Sequence, residues 1–123
     1  MGRESLDVKN WLTKALRDLE SAKYNLKGGF KENAVYFAHQ SAEKALKTLF
    51  IKKFRYLWKV HHLVDIAKRL KCPKPLIKIC DRLNQHYIAT KYPTDVKYAE
   101  KDAKKAIEDA EKVVKWIRKK LKL

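Results

Sequence analysis

Residues 34–50 read AVYFAHQSAEKALKTLF, with small or apolar side chains at Ala34, Phe37, Ala38, Ser41, Ala42, Ala45, Leu49 and Phe50. That spacing marks one face of an α-helix. Alanine, leucine, glutamate and lysine are also strong helix formers. Four alanines and a serine on one side let a second helix backbone come close, while Phe37, Leu49 and Phe50 fill the ends. Tyr36, Gln40, Glu43, Lys44 and Lys47 form the opposite, polar face. They read as surface pairs, such as Glu43 with Lys47 at i, i+4, or as contacts to a nucleotide or partner protomer, with the structural or dimer role preferred. The stretch predicts the central helix of a helical bundle.

Towards the N-terminus, Ser5 can cap a first helix, with Asp7 in its first turn where the helix dipole favours an acid. Val8, Trp11, Leu12, Ala15, Leu16, Leu19, Ala22 and Leu26 continue it as one apolar stripe. Gly28 and Gly29 end it, because glycine enters the left-handed conformation of a helix terminus without penalty. So short a joint between two long helices requires an antiparallel hairpin. Beyond the central helix, KKFRYLWKVHH (residues 52–62) interleaves Lys52, Lys53, Arg55 and Lys59 with Phe54, Tyr56 and Trp58. Such a mixture can bind phosphates and stack on bases. It also suits a connector whose rings seal the end of a bundle, and the sealing role is favoured.

A short helix follows, with Leu63, Ile66, Ala67 and Leu70 on one face. The prolines of KCPKP break the chain, and Pro75 suits the first turn of a fourth helix that buries Leu76, Ile79, Cys80, Leu83 and Tyr87. YIATKYPTDVKY (residues 87–98) reads as a loop or frayed turn. In the last helix Ala99, Ala103, Ala106, Ile107, Ala110, Val113, Val114, Ile117 and Leu121 form the stripe. Glu100 and Asp102 lie near its start and Arg118, Lys119, Lys120 and Lys122 at its end, as the dipole favours. No segment alternates with the period of a strand. The expected fold class is all-α: an up-and-down bundle of about five helices, three long and two short, forming one domain over residues 1–123.

The 123 residues carry a formal charge of +16, from 30 Lys and Arg against 14 Asp and Glu. Such an excess favours an anionic partner, nucleic acid first. The alternative is a Lys-rich solubilising surface, since basic residues spread along every segment. Few Asn, Gln and Met beside abundant Lys and Glu also suit a thermophile. With 46% hydrophobic and 36% charged residues, the composition fits neither a disordered nor a membrane-embedded chain. No run approaches the roughly 18 apolar residues of a bilayer span. No signal peptide is visible, so a cytoplasmic protein without membrane contact is expected. Cys72 and Cys80 are too few for a disulfide framework and lack zinc-site spacing. Reduced thiols are expected, Cys72 in a loop and Cys80 buried on an apolar helix face. The sequence holds no Gly-rich phosphate loop, Ser/His/Asp arrangement or metal-spaced cluster, and no cofactor or metal is expected.

Four blocks stand in order: WLTKALRDLESAKYNL (11–26), YFAHQSAEKALKTLF (36–50), HHLVDIAKRL (61–70), and YIATKYP (87–93) before the Ala-rich last helix. Together they resemble the HEPN domain family, small helical domains named for presumed nucleotide binding. The second block is close to that family's pattern of an aromatic, Gln, Ala, Glu, Lys, Ala, Leu and Lys. The third resembles its His-x-Leu block at the start of a short helix. The family's Tyr-x-x-x-Arg-Tyr-Pro reads here as Tyr87, Lys91, Tyr92 and Pro93. The resemblance covers nearly the whole chain. It implies a bundle that pairs into a homodimer, often encoded with a small nucleotidyltransferase in a toxin–antitoxin-like pair. For many members of the wider superfamily it implies a metal-independent endoribonuclease. Their signature is Arg, four to six residues, then His, at a cleft between protomers.

Two spacings approach that signature. Arg55, five residues, His61 fits formally but precedes the short third helix, whereas the family site lies just before the final one. Arg82, three residues, His86 lies in the right region and is one residue short. At i and i+4 the two share a helix face. There His86 can act as general base on a ribose 2′-hydroxyl, and Arg82 can stabilise charge on a phosphorane. Asn84 is a candidate for orienting them. The alternative is a solvated polar face that happens to hold Arg and His. Lys91 keeps the charge of the family arginine but loses its planar fork. It can serve a nucleotide or bond the carbonyls that end the fourth helix. Lys78, Tyr87, Lys91 and Tyr92 are thus the candidate nucleotide- or RNA-contacting residues, with Arg82 and His86 the candidate catalytic pair.

The reading that results is a HEPN-like protein that binds nucleotide or RNA as a homodimer, one half of a pair with a small nucleotidyltransferase. Its alternatives are a metal-independent endoribonuclease toxin using Arg82 and His86, or a non-catalytic structural interaction module.

Overall fold

The computed structural model describes residues 6–122. Among them are six helices: α1 (Val8–Lys27), α2 (Lys31–Phe54), α3 (Leu63–Arg69), α4 (Lys74–Gln85), α5 (Tyr87–Lys91) and α6 (Glu100–Leu121). The long helices are the three expected, α1, α2 and α6, and the fold is all-α. The addition is α5, a five-residue helix where the sequence pattern suggests a loop or frayed turn. Thr90 ties it to the end of α4, bonding the His86 carbonyl through its amide (3.0 Å) and its hydroxyl (2.8 Å). Five residues are too few to form a stable helix alone, so packing against α2 and α4 sustains it.

At the start of α1, Asp7 accepts from the backbone amides of Lys9 (2.8 Å) and Asn10 (3.3 Å). Asp7 is therefore the N-cap itself rather than a residue of the first turn. Ser5, the expected cap, lies outside the described residues. At the other end Gly28 remains right-handed and Gly29 alone takes a positive φ, +86°. The chain reverses there and α2 packs along α1. Ala15, Ala38, Ala42 and Ala45 are fully buried, and Ser41 donates to the Ala15 carbonyl at 2.7 Å. The small residues do bring the two backbones together.

The opposite, polar side of α2 is largely covered by the rest of the bundle. Every residue from Ala45 to Ile51 is buried, and so are His39 and Glu43. While α1 and α6 provide most of the packing, α3, α4 and α5 also lie against α2. Glu43 and Lys47 are each 5% exposed. A charge can enter a core when it is paired and hydrogen-bonded, and these two are, at 2.9 Å. Asp18 of α1 is likewise buried, against Lys44 of α2 at 2.7 Å.

Residues 52–62 take the sealing role. Arg55 turns the chain in the left-handed conformation (φ 63°). Phe54, Tyr56 and Trp58 then gather on Phe50, with ring centroids 4.7, 5.2 and 5.5 Å from it. Asn84 of α4 accepts from the Leu63 amide at 2.9 Å. Considered as an aid to Arg82 and His86, it instead caps α3 and joins it to α4. Both thiols are free and buried, Cys72 included. The turn after α3 folds inward because Lys71 is left-handed (φ 59°) and the Cys72 amide bonds the Ala67 carbonyl (3.0 Å). Burial pushes Cys72 up to about 11 and Cys80 up to about 12. No helix among the described residues is long and apolar enough to cross a membrane.

Candidate functional site

Three stretches far apart in the chain converge on the α3/α5 side of α2. His39, Glu43 and Lys47 lie four residues apart, which stacks them as one stripe down the helix. His61 arrives from the connector, held in place by the Asn84 cap on Leu63 two residues later. Tyr87 and Lys91 come from α5, one turn apart.

These side chains touch. Glu43 Oε2 accepts from Lys47 Nζ at 2.9 Å and lies 2.9 Å from His61 Nδ1. The His61 ring lies parallel to Tyr87, within 10° and 6.2 Å between centroids. His39 packs on the same tyrosine at 4.8 Å. Lys91 donates to the Tyr87 hydroxyl at 2.7 Å, its ammonium 4.9 Å from the Tyr87 ring and 5.7 Å from that of Tyr92. Among the described residues it bonds neither a carboxylate nor the carbonyls ending α4.

Electrostatics divide the cluster into a fixed interior and an accessible rim. Burial alone would push the Glu43 carboxyl up, but hydrogen bonds from Lys47 and His61 outweigh it and hold it below its ordinary value. Glu43 is thus ionised at neutral pH. Burial drives His39 down to about 4, against the opposing pull of Glu43, so its imidazole is neutral. Two buried atoms, His39 Nε2 and Glu43 Oε1, have no hydrogen-bond partner among the described residues. Unspent polar capacity of this kind calls for a water or a ligand group. The His61 side chain is 58% exposed against 7% for Glu43. A carboxylate on Nδ1 orients the imidazole and leaves its Nε2 to meet a hydroxyl or phosphate oxygen. Among the described residues no three His, Cys, Asp or Glu side chains are grouped as metal ligands would be.

The Arg82 and His86 side chains bond partners on and just before α6. Arg82 grips Asp109 at two points, Nε to Oδ2 at 3.1 Å and Nη2 to Oδ1 at 2.9 Å. Asp109 is 2% exposed, so this guanidinium neutralises a buried acid and ties α4 to α6. His86 caps the C-terminus of α4, with Nδ1 3.1 Å from the Tyr98 hydroxyl. Burial lowers its pKa in spite of Asp102 and Asp109. Of the residues singled out in the sequence, Tyr87, Lys91 and Tyr92 are brought together, while Lys78 is exposed on α4. The pattern did not single out His39, and it considered His61 only in the His-x-Leu block and as a partner for Arg55. The available signal was an ionisable residue at every fourth position of the most apolar helix.

The HEPN domain family model matches residues 8–120. The chain is 28% identical to an archaeal HEPN homologue of known structure, with a TM-score of 0.79 and 98% of each chain covered. It is 26% identical to a protein of Thermus thermophilus, with a TM-score of 0.84 over 92% of this chain and 97% of that one. An HEPN domain protein from Thermotoga maritima is 25% identical, with a TM-score of 0.78 over 92% and 98%. No curated protein matches the chain.

Proposed function

Because the chain belongs to the HEPN domain family, we propose that it binds nucleotide or RNA as a homodimer, paired with a small nucleotidyltransferase. The observation that supports this reading is the convergence of Glu43, Lys47, His61, Tyr87 and Lys91 from three separate stretches. Three side chains at this rim have roles suited to a nucleotide. Lys91 supplies a point charge for a phosphate. Tyr92, 51% exposed, supplies a ring face on which a base can stack. His61, oriented by Glu43, presents Nε2 to a ribose hydroxyl or phosphate oxygen.

Calorimetric titration with ATP tests the reading. Lys91→Ala is expected to weaken binding roughly tenfold, the size of one hydrogen bond to a charged group. Its thermal midpoint should match the parent, since the ammonium is exposed. A monomer in sedimentation that binds neither ATP nor RNA at low salt would reject the proposal.

An endoribonuclease using Arg82 and His86 is the second reading. In its favour, burial keeps His86 in the neutral form that a general base requires. Against it, the Arg82 fork is engaged by Asp109. It predicts RNA cleavage in the presence of EDTA that disappears in His86→Ala. Intact RNA, or equal cleavage by the variant, excludes this pair, and a non-catalytic binding module remains.

A further inference from the structure

We propose that a second surface, separate from the α2–α5 cluster, binds a nucleic-acid strand through its phosphates. It lies where the C-terminal halves of α2 and α6 meet the turn between α3 and α4. Lys52, Lys53, Lys71 and Lys120 line a groove of about 460 Å³ floored by Leu49, Leu70 and Trp116. An adjoining groove of about 300 Å³ shares Trp116 and is lined by Lys112, Lys115 and Lys119.

Charge sets these grooves apart from the others along α6. Among the described residues no Asp or Glu lines either one. Neighbouring grooves along α6 carry Glu111, or Glu100 and Glu108, among their lysines. Some lysines elsewhere on the surface pair with acids, as Lys23 does with Glu111 and Lys104 with Glu100. None of the seven groove lysines has a carboxylate within ion-pair distance among the described residues. Like charges around a concavity repel one another and focus a positive field into it, which an anion relieves. The Lys120 ammonium is held 5.3 Å from the Trp116 ring, at the boundary between the two grooves. The C-terminal end of the α6 dipole offsets part of the repulsion and keeps the helix intact beneath its basic turns.

The shape selects the ligand. Two acid-free grooves joined at one indole form an extended concave track. A single small anion would occupy one groove and leave the other unrelieved, and a flat bilayer would not enter either. A flexible strand with regularly spaced phosphates meets both. The surface is also distinct from the first site. Lys52 follows Lys47 by five residues, which turns it about 140° around α2. The proposal therefore stands whether or not the α5 cluster binds nucleotide.

Fluorescence anisotropy of a labelled oligouridylate with the full chain, across salt concentrations, tests it. Lys52→Glu with Lys120→Glu should weaken binding at least about tenfold and reduce the salt slope by about 1.4, two single-strand phosphate contacts. Lys9→Glu with Lys101→Glu, equal in net charge and exposed elsewhere, should weaken it less than about twofold. Intrinsic fluorescence should change on binding in the parent and not in Trp116→Phe. If the glutamate pair disturbs folding, Lys52→Gln with Lys120→Gln carries the same expected direction. Unaltered ATP affinity in the groove variants marks an intact first site. Equal losses in groove and control pairs would overturn the proposal, leaving bulk charge alone. So would groove-dependent binding of anionic vesicles without binding of the oligonucleotide.

Discussion

Phe50→Ala is expected to destabilise the protein by about 3–5 kcal/mol, the range for removing a buried aromatic ring. Phe50 is 1% exposed and carries the rings of Phe54, Tyr56 and Trp58 around it. Its removal opens a cavity at the end of the bundle. Domains of this kind have about 5–15 kcal/mol in all, so the variant would be marginal. Urea unfolding measures it as a fall in midpoint at constant slope. The partly exposed connector can relax into part of the space, which places the expected value towards the lower end. A loss below about 1 kcal/mol, an average point-mutation effect, would show that the three rings repack without Phe50. The same connector delivers His61 to Glu43, so nucleotide affinity should fall even at temperatures where the variant remains folded.

The second large effect depends on pH. His39 titrates at about 4 in the folded protein and near 6.5 when unfolded. Between those values the unfolded chain binds the proton and the folded chain does not, so stability rises with pH. The contribution is complete above about pH 6.5 and is lost as pH falls to about 4. It amounts to about 3 kcal/mol at 1.36 kcal/mol per pH unit. Burial is the main cause; Glu43 opposes it, and charges on His61, Lys44 and His86 add to it. His86, also lowered, contributes in the same direction within this window. Glu43 contributes with that sign at lower pH, because its folded value lies below the ordinary carboxylate range. Unfolding free energies measured from pH 7 to about 4.5 should therefore fall steeply for the parent and much less for His39→Gln. Parallel slopes for the two proteins would show that His39 is protonated in the fold.

The long helices were legible because each repeats one apolar period over many turns. For α5 the residues YIATK are too short to display a period, and tertiary contact supplies the helix. The site divides in the same way. Tyr87, Lys91 and Tyr92 lie close together in sequence and could be named together. Glu43 and Lys47 could be seen as a pair, but an i, i+4 ion pair reads as surface unless something local announces that other elements will cover it. Nothing local does, because the cover comes from α3, α5 and the connector. Asp109 is 27 residues from Arg82, so no spacing rule could show that this arginine already has a carboxylate.

The packing of all five other helices against α2 has a consequence for motion. No local fluctuation can bare the backbone amides of its buried second half; they can meet solvent only when the bundle opens as a whole. His39, Glu43 and Lys47 therefore form a rigid wall. Tyr87 and Lys91 ride on five residues that can detach at far smaller free energy. Lifting α5 would bare the atoms of His39 and Glu43 that lack a hydrogen-bond partner among the described residues, while the wall behind it stays still.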